Sequence, residues 1–60
     1  MPDGKYEFEI GGRRAVVEVY AAGGKRFFDS FLDGNLLNEE VPVRDRETDA
    51  QLLERIRAAV

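Results

Sequence analysis

The feature that most constrains this chain is an alternating run on either side of a glycine pair. In Lys5–Ile10, the residues Tyr6, Phe8 and Ile10 alternate with Lys5, Glu7 and Glu9, the period-two pattern of a strand with one buried face. Gly11-Gly12 follows, and a glycine pair supplies the two positive-φ positions of a two-residue hairpin turn. Arg13–Tyr20 then returns as the partner strand. Such a turn fixes a register that the charges can test. It sets Phe8 opposite Ala15 and Tyr6 opposite Val17 on one face, with Glu9 opposite Arg14 and Lys5 opposite Glu18 on the other. Apolar meets apolar and opposite charges meet, the pairing that stabilises neighbouring strands.

Beyond the hairpin, Lys25–Asp33 reads as a third strand. A short helix would gather Phe27, Phe28, Phe31 and Leu32 into one arc. It would also place Lys25 and Arg26 at its N-terminus and Asp29 and Asp33 near its C-terminus, against the helix dipole, with no N-cap residue ahead of it. Turn signals, Gly23-Gly24 and Asp33-Gly34, flank the segment. Asn35–Val43 is the expected fourth strand, with Leu37, Val41 and Val43 on one side. Pro42 has no amide donor, so this strand should be an edge or should end there. Glu39 falls on the face assigned to the core, which a bulge or an early edge would relieve. The C-terminus predicts a helix. Thr48 with Gln51 three residues on forms a capping box, and Leu52, Leu53, Ile56, Ala59 and Val60 make one apolar stripe.

Together these elements predict residues 1–60 as a single small α+β domain, a four-stranded antiparallel meander with a C-terminal helix packed on one face. The sheet could also curl into a small SH3-like barrel. Carrying the register through an even-length loop at 21–24 sorts the sheet into two sides. Side one holds Tyr6, Phe8, Ile10, Ala15, Val17, Val19, Phe28, Leu32, Leu37, Val41 and Val43. Side two holds Val16, Tyr20, Phe27, Phe31 and Leu36 among Glu7, Glu9, Glu18, Asp29 and Asn38. One helix covers only side one. Val16, Tyr20, Phe27, Phe31 and Leu36 are therefore the candidate protein interface, since soluble monomers rarely leave a large apolar patch bare. Sheet curvature closing over side two is the competing expectation.

Composition narrows the functional classes. Sixty residues lie near the lower limit for a chain that folds alone. Without cysteine or histidine, disulfides and the usual zinc sites are excluded. Good packing, or self-association through side two or through the Pro42 edge, is then the remaining reinforcement of a small core. The net charge of −3 disfavours general nucleic-acid or anionic-membrane binding. No apolar run reaches the ~18 residues of a membrane span. The opening Met1-Pro2-Asp3-Gly4 lacks the order of a signal peptide. A cytoplasmic setting is the expectation.

Nothing in the sequence assembles a catalytic site, and no enzyme, cofactor, metal or small-molecule substrate is expected. Ser30 is the only serine and has no histidine to act as its base. Glu39 and Glu40 are adjacent, so on a strand they point to opposite faces. Asp33-Gly34-Asn35 lacks the acidic spacing of a calcium loop. Gly11-Gly12-Arg13-Arg14 and Gly23-Gly24-Lys25-Arg26 lead into strands, whereas phosphate loops lead into helix N-termini.

Three readings of function remain. The first is a small non-enzymatic protein-binding or self-associating module that works through the Tyr20/Phe27/Phe31 face, its partner being itself as a homodimer or another protein. The second is a designed scaffold without biological activity; capping, register charges and turn dipeptides agree with one another, and Cys, His and Trp are absent. The third is a nucleic-acid-binding small barrel using Arg13, Arg14, Lys25 and Arg26 beside Tyr20 and Phe27, where strand aromatics could stack on bases. The layout of a leading tight hairpin and a terminal helix resembles small SH3-like barrels of the archaeal chromatin type. Those proteins are strongly basic and this chain is acidic, so the resemblance implies the layout and not DNA binding.

Overall fold

The structure, a computed structural model, describes residues 1–60. Strands β1 (Gly4–Ile10), β2 (Arg13–Ala22), β3 (Lys25–Leu32) and β4 (Asn35–Pro42) form one antiparallel sheet in the order β1-β2-β3-β4, and helix α1 spans Asp49–Ala58. The sheet is open, with β1 and β4 as its two edges, so the barrel alternative is not adopted. Segment 25–32 is a strand, as its charges and flanking turns predict.

Each hairpin turn has two residues. Gly11 and Gly12 sit at φ 58° and 78°, Gly23 and Gly24 at 59° and 77°, and Asp33 and Gly34 at 50° and 80°. Consecutive positive φ values match the right-handed twist of the flanking strands, which is why glycine and Asp-Gly recur there. Because the second turn contains only Gly23-Gly24, β2 runs on to Ala22 and the even parity is kept. The β1–β2 register is the one expected from sequence, with Phe8 opposite Ala15 and Lys5 opposite Glu18. Across the second hairpin Val19 pairs with Phe28 and Val17 with Ser30.

Side one is the core. Val17, Val19, Phe28, Leu52 and Ile56 are each at most 2% exposed and pack together, ringed by half-buried Tyr6, Phe8, Ile10, Val41, Val43 and Leu53. The helix begins as predicted. Thr48 Oγ1 accepts from the Gln51 amide at 3.2 Å, and Gln51 Oε1 accepts from the Thr48 amide at 3.0 Å. Its apolar stripe is narrower than the sequence suggests. Leu52 and Ile56 are buried and Leu53 is half-buried, while Ala59 caps the helix and Val60 stands exposed beyond it. Helical periodicity fails at the last two positions because the helix has ended.

The larger departure is in β4. Leu32 pairs with Asn35 and Phe31 with Leu36, but Ser30 then pairs with Asn38 and Phe28 with Val41. Two register shifts therefore lie between Phe31 and Phe28. Each adds one unopposed residue, which bends and twists the strand. The first moves Asn38 to side one, correcting its expected place on side two. There its Oδ1 accepts from the hydroxyl of Ser30, 1% exposed, at 2.7 Å. Leu37, expected in the core, is half-buried and lies outside the central cluster. The second shift carries Glu40 into the left-handed region at φ 50° and leaves Glu39 exposed. The misplaced glutamate of the sequence reading is thus relieved by a double bulge.

Candidate interface on the uncovered sheet face

Side two has no element over it. Of the apolar residues expected there, Val16, Tyr20, Phe27 and Phe31 are half-buried by their neighbours, and Leu36 is 52% exposed. The pairing sorts them into rows across the sheet. Tyr20, Phe27 and Pro42 form one row, and Val16, Phe31 and Leu36 form another with Glu7 at its end. Between them runs a charged row, Lys5, Glu18 and Asp29. Tyr20 lies four steps along the strand from Val16, so the two apolar rows stand about 13 Å apart. The surface is therefore not the continuous stripe that alternation alone suggests, but two apolar ridges flanking a charged row that is acidic on β2 and β3 and basic at Lys5 on β1.

The ridges are ordered from below. Tyr20 and Phe27 stack with ring centroids 6.0 Å apart and planes 27° from parallel, within the range of favourable aromatic pairing. The Tyr20 hydroxyl donates to Asp29 Oδ1 at 3.2 Å, and the same oxygen accepts from the Glu40 amide at 2.8 Å. Asp29 thus ties the aromatic row to the second bulge of β4. Burial first, then the hydrogen bond and charge of Asp29, push the Tyr20 phenol above its ordinary range, with smaller contributions from Glu40 and Glu39. The acidic character is concentrated at the centre of the face.

The residues proposed to meet phosphate are scattered. Arg13 and Arg14 begin β2, whereas Lys25 and Arg26 sit opposite Ala22 and Ala21 at its far end, about 30 Å away along a strand of that length. Alternation also divides each pair between the two faces. Arg13 Nε donates to Asp33 Oδ2 at 2.7 Å, Arg14 pairs with Glu7, and Arg26 donates to Asp3 Oδ1 at 3.2 Å. Arg13 holds the Asp33 carboxyl below its usual range, outweighing the effect of burial. These guanidinium groups serve acids of their own chain.

The Glu47–Arg55 ion pair was not visible in the sequence either. Glu47, whose side chain is 2% exposed, receives Arg55 Nη1 on both oxygens at 2.7 and 3.0 Å and the Arg44 amide at 2.9 Å. Arg55 also donates to the Pro42 carbonyl at 3.2 Å and lies over the Phe28 ring at 5.5 Å. Burial alone would raise the Glu47 carboxyl, but the donors from Arg44 and Arg55 overcome it and hold it below the ordinary glutamate value. The pair clamps the 43–48 connection between sheet and helix. It borders a shallow groove with Arg44, Gln51 and Glu54 that is away from the aromatic face. No group of three acidic side chains converges as a metal site would need, and no helix is long and apolar enough to cross a membrane. In comparisons with known proteins, no family model, curated protein or solved structure matched this chain.

Proposed function

We propose that this chain is a non-enzymatic binding module whose side-two face docks another protein. The observation that carries the reading is the uncovered pair of apolar ridges, Tyr20/Phe27/Pro42 and Val16/Phe31/Leu36, on the side of the sheet that the single helix leaves open. The acidic part of the row between them sets the chemistry of the partner. A segment with two apolar side chains flanking a Lys or Arg would seat its anchors on the ridges and its cation over Glu18 and Asp29, and such charge matching across an interface steers encounter and fixes register.

Selection of peptides from a displayed random library against the folded chain tests this, with counter-selection against Phe27→Asp. Enriched peptides should carry a basic residue between apolar ones and lose binding to both Phe27→Asp and Leu36→Asp. Leu36 is exposed, so its substitution leaves the fold intact and separates loss of binding from loss of structure. Absence of enrichment, or binding indifferent to both changes, would refute the reading.

A further inference from the structure

The two sheet edges are built differently, and the difference points to a second copy of the chain. Edge strand β4 is guarded: it carries two register shifts, a proline and a residue at positive φ, features that prevent another strand from pairing. Edge strand β1 has no register shift and no proline, and its one residue at positive φ is Gly4 at its very start. Its seven residues pair with β2 in unbroken register from Gly4 to Ile10. The two-residue turn makes Ile10 and Arg13 a hydrogen-bonded pair, and alternation in an antiparallel ladder then directs the amides and carbonyls of Gly4, Tyr6, Phe8 and Ile10 toward β2. Those of Lys5, Glu7 and Glu9 point out of the sheet.

We propose that β1 pairs with β1 of a second copy, antiparallel and about a two-fold axis through Glu7. Only this register satisfies every outward group at once. Lys5 exchanges both bonds with Glu9 of the other copy, Glu7 with Glu7, and Glu9 with Lys5. It also matches the side chains. Lys5 meets Glu9 twice on side two, and Tyr6 meets Phe8 twice on side one, where both are only half-buried. Glu7 meets Glu7 at the axis, but each is already paired with Arg14 of its own chain. Shifting the axis to Tyr6 or Phe8 leaves outward groups of Glu9 or Lys5 unpaired, and the Phe8 axis sets Glu7 against Glu9. Because the axis is perpendicular to the sheet, both side-two faces end on the same side of one continuous sheet. The two Tyr20/Phe27 pairs then stand about 30–36 Å apart, offset both across and along the strands.

The test is sedimentation of the full chain from micromolar to millimolar concentration, with helical signal as the check on folding. The unmodified chain should associate to a dimer. Chemical synthesis with an N-methyl group on the Glu7 amide, which faces away from β2, should leave a folded monomer. Lys5→Glu and Glu9→Lys should each weaken self-association. Mixed, they should form a heterodimer about tenfold tighter than either self-pair, since both cross-strand contacts become Glu–Lys. Both variants are net negative, so bulk charge cannot produce that result. A monomer at all concentrations, a dimer indifferent to N-methylation, or no preference in the mixture would overturn the proposal. A dimer lost in Phe27→Asp but kept on N-methylation would also overturn it, assigning self-association to side two. The peptide selection reads side two separately, so the two readings fail independently.

Discussion

Truncation of Leu52 to alanine tests the way the helix is rotated on the sheet. Leu52 is 1% exposed within the Val17, Val19, Phe28 and Ile56 cluster, whereas Leu53 is half-buried at its margin. Adjacent helical residues differ by about 100° around the axis, so the two cannot be equally enclosed. A leucine truncated in a closed site costs about 2.7–5 kcal/mol, while the half-buried one should cost about 1 kcal/mol by area. A sixty-residue domain has only about 3–9 kcal/mol in all, at typical stabilities per residue. Leu52→Ala therefore removes roughly a third of the total or more. Urea titration followed by helical signal, with a slope of about 1 kcal/mol per molar, should show a midpoint lowered by about 3 M or a chain unfolded without urea. Leu53→Ala should lower it by about 1 M. If Leu53→Ala proves as costly as Leu52→Ala, the rotation of α1 is wrong and with it the assignment of side one as core.

Other expectations concern contacts made between distant parts of the chain. Ser30→Ala removes the donor to Asn38 in a buried position and should cost about 0.5–1.5 kcal/mol; an unchanged urea midpoint would contradict that pairing. Glu40→Gly relieves a left-handed conformation that costs a side-chain-bearing residue about 1–2 kcal/mol, so it should stabilise the fold by a few tenths of that or more; destabilisation would argue against the second bulge. The Glu47 carboxyl is held below its ordinary value by Arg44 and Arg55. Its contribution to stability is thus present above the unfolded-state value and is lost as pH falls through the lowered folded one. Glu47→Gln should flatten the acid limb of a plot of urea midpoint against pH. Parallel limbs for the two proteins would refute the assignment.

Much of the fold is local chemistry and could be read directly. Gly11-Gly12 and Asp33-Gly34 form the turns their backbone freedom suits, and Thr48/Gln51 caps the helix. Once the turns are two residues long, pleating decides which side chains share a face, so Val16, Tyr20, Phe27, Phe31 and Leu36 were legible as neighbours. What period two could not supply was the arrangement across β4. Its Leu-Leu-Asn-Glu-Glu run contains no glycine to announce a bulge. The strand is shifted because Ser30 and Asp29 on β3 each capture a β4 group, the Asn38 carboxamide and the Glu40 amide.

The amino-acid order by itself determined the strands, their turns, the helix start and the existence of a second apolar face, because each rests on interactions within a few residues or on simple alternation. Tertiary structure alone decided the double bulge, the Glu47–Arg55 clamp and the division of the face into two ridges around Glu18 and Asp29. It also decided which edge is guarded and which is open. Those features depend on groups brought together from separate strands, where desolvation and hydrogen-bond satisfaction outweigh local pattern.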